Sequence, residues 1–220
     1  MRHLLVIASW GVRGLRPREL WDISPRISLR TGVFPGDRPF HRHVAFSFSP
    51  THRFELSSIE TTVHIGAHAD APRHYHPEGA SIDRVPLALY VGRCQVVTAL
   101  RSAAGRILPA ALNTEILSAP RVLIRTGSFP DPEKWNSDFW SLSPELVDFL
   151  AGQGVRLVGI DTPSIDPEAD SELLSHAAVY RNGLAVLEGL VLTKVPDGIY
   201  ELIALPLRLE GCEASPVRAV

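Results

Sequence analysis

Cysteine is scarce in this 220-residue chain: Cys94 and Cys212 are the only two, they lie far apart, and no CxxC occurs. Nothing here supports a disulfide framework. The scarcity suggests a reducing compartment, so a cytoplasmic protein is expected, with both cysteines as small buried residues. An excess of positive charge is lacking too. Lys and Arg number 22 against 24 Asp and Glu, for a formal net charge of −2. The basic residues are dispersed, which leaves no electrostatic case for nucleic acid. Long apolar runs are missing as well. Leu4 to Trp10, after Arg2, is a seven-residue run, short of the roughly 20 residues a membrane helix needs and without a convincing signal cleavage site. Residues 1–19 are therefore read as an N-terminal extension of unknown role, ahead of a single domain over 20–220, with no membrane partner. Nucleotide and serine-hydrolase motifs are also absent. There is no GxSxG and no GxxxxGK[ST], and Gly152-Gln153-Gly154 lacks a third glycine and follows a helical pattern rather than a strand. What remains open is a hydrolase that works through a metal without an organic cofactor.

What is present is ordinary in amount, with 45% hydrophobic and 21% charged residues, and informative in pattern. Residues 44–49, 53–63, 95–100, 121–126, 156–161, 184–192 and 200–205 read as strands or apolar β-branched runs. Ser143-Pro144-Glu145 reads as a helix start, Ser as N-cap and Pro in the first turn. Leu146, Val147, Phe149 and Leu150 form its apolar side, and Gly152 and Gly154 stop it. Residues 121–161 thus form a strand–helix–strand unit, and the fold class is mixed α/β with strands dominant.

The strongest signal is HIGAHADAPRHYH, residues 64–76, which holds four of the nine histidines and an aspartate. His64, His68, Asp70, His74 and His76 all fall on even positions. A strand presents alternate side chains on one face, so an extended segment would bring His64, His68 and Asp70 together, whereas a helix would rotate Asp70 away. Gly66 and Pro72 also oppose a helix. Neutral imidazole and carboxylate are ligands for zinc, and manganese accepts them too. Residue 65 is Ile, so the segment is not HExxH and its general base must come from elsewhere, with His74 the nearest candidate. A surface strand with scattered histidines is the plain alternative. Two more residues stand out further on. His176 sits in a helical pattern, and Glu188 interrupts the apolar run GLAVLEGLVL. A carboxylate buried there needs compensation from a cation or an arginine, or a turn that exposes it.

The stretch HIGAHADAPRH resembles the HxGTHxDxPxH signature of the cyclase family of metal-dependent hydrolases. LWDISP (20–25), VFPGD (33–37), GIDTPSIDP (159–167), His176, LEGL (187–190) and YELIALPL (200–207) are similar to its bacterial kynurenine formamidase (arylformamidase) branch. The resemblance covers about residues 20–220. It implies a swivelling β/β/α domain, a homodimer and two Zn2+ per subunit. It also implies hydrolysis of N-formyl-L-kynurenine to kynurenine and formate by a zinc-activated hydroxide. Residue by residue, it implies that His64, His68 and Asp70 bind one zinc. Asp70 also reaches the second, His176 binds the second alone, and Glu188 is shared by both. It makes His74 the catalytic acid/base and places Phe34 as an aromatic contact to substrate. Two positions depart from the pattern. Ala67 stands for Thr, removing a hydroxyl that could support the ligands, and Phe34 stands where Trp is common. A sister amidase acting on an isatin-like amide would share every ligand. A non-catalytic zinc module is the rival of another class, although structural zinc sites are commonly thiolate-rich.

Overall fold

Period-two alternation builds the central layer. The computed structural model describes residues 19–100, 105–114 and 117–220, so the 1–18 part of the N-terminal extension lies outside the described residues. The elements are β1 (His41–Phe46), β2 (Leu56–Glu60), β3 (His68–Asp70), α1 (Pro72–Tyr75), β4 (Val91–Thr98), β5 (Arg106–Ile107), β6 (Arg121–Arg125), β7 (Ser141–Leu142), α2 (Pro144–Gly152), β8 (Leu157–Ile160), α3 (Leu174–Asn182), β9 (Ala185–Glu188), β10 (Gly198–Ile203) and β11 (Ala214–Pro216). Seven strands form one mixed sheet in the order β10-β4-β6-β8-β9-β3-β11. The middle of it, β4-β6-β8-β9, is parallel, and β10, β3 and β11 pair antiparallel to their neighbours. This is the expected mixed, strand-rich α/β fold, and β6-α2-β8 is the expected strand–helix–strand unit.

Each face of the sheet carries its own apolar cluster. Cys94, Val96, Leu123, Leu157, Ala185 and Leu187 point to one side. Val97, Val122, Ile124, Val158, Ile160 and Val186 point to the other, where Leu146 and Leu150 of α2 and Val179 of α3 cover them. Residues buried on both faces read as near-continuous apolar runs, which is why these strands were visible in sequence. The predicted N-cap forms: Ser143 Oγ accepts from Leu146 N at 3.1 Å. Leu146, Val147 and Leu150 are buried, whereas Phe149 is only partly so.

Three expectations need correction. The strand predicted over 44–49 is β1, which ends at Phe46, and only Leu56–Glu60 of the stretch 53–63 is strand. Cys212 is half-buried, not buried like Cys94. The histidine segment, read as extended before it runs into a loop, is strand only in part. Only His68–Asp70 is β, and His64 arrives through a bend at Gly66, whose φ is +59°. Pro72, read as opposing a helix, instead follows the strand at the first position of the single helical turn α1, where its missing N–H costs nothing, and this turn carries His74.

Candidate metal centre

Strand parity explains why the ligand candidates meet. Ala69 and Leu187 belong to the apolar cluster on one face, so His68, Asp70 and Glu188 project to the opposite face, beneath α3. His68 and Glu188 are direct cross-strand partners although 120 residues apart. Glu188 is the last residue of β9, and Asp161 follows β8, so the site opens at the carboxyl ends of parallel strands, where sheets of this kind place ligands. The bend bearing His64 packs onto the end of β9 because residue 189 is glycine. Its φ is +64°, and a Cβ there would lie 2.1 Å from Gly66 O.

The resulting cluster is buried and close. Asp70, His68, His176 and Glu188 are each at most 2% exposed. Asp70 Oδ1 lies 3.0 Å from His64 Nδ1 and 3.5 Å from His68 Nε2, and Asp70 Oδ2 lies 3.3 Å from His176 Nε2. Glu188 Oε2 is 3.1 Å from His68 Nε2, and Glu188 Oε1 is 3.5 Å from His176 Nε2. The buried charge that stood out in the sequence is thus faced by two imidazoles, and the turn at Gly189 does not expose it. His74 joins from α1, its ring centroid 4.3 Å from that of His64 and 5.6 Å from that of His176. Two sets of donor atoms fall within 4.8 Å of one another: His64, Asp70 and His74, and His68, Asp70 and Glu188. His76 takes no part, since its ring stacks on Tyr180 at 3.8 Å.

The outward-facing nitrogens fix the orientation of the rings. His68 Nδ1 is 2.9 Å from Gly66 O, and His176 Nδ1 is 2.8 Å from Asp166 Oδ2. With those nitrogens donating, each Nε2 turns a lone pair toward the carboxylates. Converging lone pairs repel unless a cation or protons sit among them, and an imidazole backed by an acceptor is the usual arrangement of a metal-binding histidine. Asp70 Oδ1 adds to this: it is buried and receives no hydrogen bond. The donor set fits a divalent metal. The titration behaviour points the same way. Burial disfavours charge on His68, yet the Glu188 and Asp70 carboxylates hold its pKa up to about 9. His176 is likewise raised, against its burial, by Asp166, Asp70 and Glu188. Asp70 stays well below the usual carboxylate range because, against burial, the neighbouring imidazoles favour its charge. The carboxylates thus favour positive charge at the imidazoles, and a metal would compete with protons for that place.

Asp166 was missed by the sequence reading, although it lies within GIDTPSIDP. Besides holding His176, its carboxylate accepts from the backbone N–H of Ser175 at 2.9 Å and of His176 at 3.0 Å. It thereby satisfies first-turn donors of α3, whose own N-cap residue, Leu173, has φ +51° and gives no side-chain cap. Arg106 anchors Asp166 at 3.0 Å and also pairs with Asp170. Only the folded chain brings these together. Ala67, by contrast, faces the apolar cluster on the far side of the sheet, so the Thr-to-Ala departure removes nothing from the ligand face.

The centre lies on a cavity of about 390 Å³, within the usual range for small-molecule sites. Phe34, Phe129 and Trp135 wall it. Trp135 meets Phe34 edge-on at 5.6 Å and Phe129 at 6.0 Å. Phe34, the aromatic contact expected from the resemblance, lines this cavity and is 43% exposed, and the indole beside it comes from a proline-rich segment that carried no periodic signal.

The Cyclase family matches over residues 21–167. Kynurenine formamidases of Bordetella pertussis and Bordetella petrii are 46% and 45% identical to the chain over 204 residues, covering 92% of it and 97% of each relative. Among solved structures, a "potential metal-dependent hydrolase with cyclase activity" is similar with a TM-score of 0.77 and 28% identity, covering 90% of this chain and 94% of that one. A "predicted metal-dependent hydrolase" from Bacillus stearothermophilus is similar with a TM-score of 0.76 and 27% identity, covering 90% and 95%.

Proposed function

The chain belongs to the Cyclase family, and we propose from this that it hydrolyses N-formyl-L-kynurenine to L-kynurenine and formate, a step of tryptophan degradation. The observation that carries the reading is the convergence of imidazole and carboxylate donors on a cavity walled by Phe34, Phe129 and Trp135. We assign the centre two zinc ions: His64, His68 and Asp70 would hold one, Asp70 and His176 would hold the other, and Glu188 would be shared by both. When bound, zinc supplies Lewis-acid polarisation of a carbonyl oxygen and lowers the pKa of a water toward about 7.

The protein's own residues do the rest. The aromatic wall packs on the aryl ring and presents the formamide to the centre. His74 moves the proton. Desolvation of its ring, together with the nearby His64 and His176 rings, holds its pKa below the ordinary imidazole value, so it is neutral at pH 7 and able to accept a proton from the attacking water. It then delivers that proton to the aryl nitrogen, which would otherwise leave as an anion. The metal-loaded protein should release kynurenine and formate. Chelation should abolish turnover and zinc should restore it, while folded, zinc-loaded protein that releases no kynurenine would refute the reading.

One hydrolase domain over 20–220, working in the cytoplasm as a homodimer, completes the assignment. The free Cys94 and Cys212 support a reducing compartment, and no helix among the described residues is long and apolar enough to cross a membrane. The β1–β2 ribbon supports the dimer. Every residue of both strands is exposed, among them Val44, Phe46, Leu56 and Ile59. A two-stranded ribbon is marginal alone in water, and a second copy would cover it. Light scattering should give the mass of two chains, and a single-chain mass at assay concentration would remove the dimer from this account.

A further inference from the structure

The cavity wall beyond the metal centre is acidic and, among the described residues, carries no lysine or arginine. Its carboxylates are not equivalent. Asp161 is engaged on both oxygens, by the N–H of Thr126 at 2.9 Å and of Gly127 at 3.0 Å. Asp170 is paired with Arg106. Asp37 is exposed at the rim and accepts from Thr62 Oγ1 at 3.1 Å, and the Glu213 side chain is 45% exposed.

Glu168 is different. It is half-buried, and its Oε2 accepts the Trp135 indole N–H at 2.7 Å. Its Oε1 has no hydrogen-bond partner among the described residues. The indole that tethers it is itself fixed. Phe34, Phe129 and Phe139 meet Trp135 edge-on, Gly32 N donates to Pro132 O at 2.9 Å, and Arg30 clamps Glu133 with bonds of 2.7 and 2.9 Å. Gly32 allows this close seating, since a Cβ there would lie 3.0 Å from Trp135 N. A carboxylate is thus locked beside the aromatic wall with one oxygen spent and one available, on a cavity whose described lining has no lysine or arginine to compete for it.

We propose that Glu168 receives the ammonium group of the substrate, so that the cavity selects an aryl amide bearing a cationic amine arm. The inference rests on the formamidase reading of the metal centre and identifies the group that reads the amino-acid end. A charge-assisted hydrogen bond of this kind is among the stronger ones. A site built to make it discriminates against ligands that lack the partner.

The test compares N-formyl-L-kynurenine with an analogue lacking only the α-amine, on the full zinc-loaded chain. Glu168→Gln should raise KM for the amine substrate roughly 10- to 100-fold, with kcat within about twofold and the analogue unaffected. Calorimetric titration with L-kynurenine and its deamino counterpart should show the same selective loss, and it reads the contact without turnover. Equal effects on both ligands, or no effect on either, overturn the proposal and leave the formamidase reading standing. Hydrolysis of neither formyl compound by the unmutated protein overturns that reading, and the titration still decides whether Glu168 binds an amine.

Discussion

Replacing His74 by alanine should lower turnover of N-formyl-L-kynurenine by about 10²–10⁴-fold, the range that general acid–base catalysis contributes, while metal content stays at the level of the unmutated protein. Both halves of that expectation matter. His74 has a ligand atom within 4.8 Å of those of His64 and Asp70, so distance alone would allow it to bind metal. Its surroundings argue for the other role. It stands on α1, a single turn opened by Pro72, whereas His68, Asp70 and Glu188 lie on paired strands and His176 is fixed by Asp166. His68 and His176 each have an acceptor behind the outward nitrogen. No such hydrogen bond holds the His74 ring among the described residues. Its pKa is pushed down, chiefly by desolvation, where those of His68 and His176 are pushed up. Elemental analysis of purified His74→Ala separates the roles. Full metal with lost turnover identifies a proton carrier, and partial recovery with added imidazole would strengthen that result. Loss of one metal would make His74 a ligand and send the search for the acid/base elsewhere.

How much of this could be read from the sequence depended on how local each signal is. Helix α2 was legible because its cap, Pro and apolar stripe lie within ten consecutive positions. Strands β6 and β8 were legible because burial on both faces leaves an unbroken apolar run. Strand parity correctly placed His68 and Asp70 side by side. The same parity brought in His64 for the wrong reason, since it reaches the cluster through the Gly66 bend and the close seating of Gly189. Glu188 could be noticed only as a charge in an apolar run. That it faces His68 follows from the antiparallel register of β9 and β3, which no local pattern encodes. Asp166, Trp135 and Glu168 escaped altogether. Asp166 acts through a ring ten residues on and an arginine sixty residues back. The Trp135–Glu168 bond joins two irregular loops, where neither of the two periodicities operates.

Asp70→Ala should empty the centre and bring activity to background. Among the ligand candidates Asp70 has the most to lose, because its two oxygens face three imidazoles within 3.5 Å and it takes part in both close donor sets. It is also the cleanest position to test. Glu188 Oε1 accepts the Ile165 N–H at 2.7 Å, so removing Glu188 also strands a buried backbone donor, a loss that costs about 1–3 kcal/mol by itself. Asp70 Oδ1 receives no hydrogen bond, and its neighbours are the imidazoles that metal would draw away. The readout beyond activity is thermal. A ligand that binds only the folded state stabilises it by RT ln(1 + [L]/Kd), about 4 kcal/mol at a thousand times Kd. Zinc added to chelated, unmutated protein should therefore raise its Tm by several degrees, whereas Asp70→Ala should melt at the same temperature with or without zinc. Asp70→Asn, which keeps the shape and removes the charge, should behave like the alanine variant. An asparagine variant that still gained stability from zinc would mean that His64, His68, His176 and Glu188 suffice to hold the ion, and the bridging role given to Asp70 would be wrong.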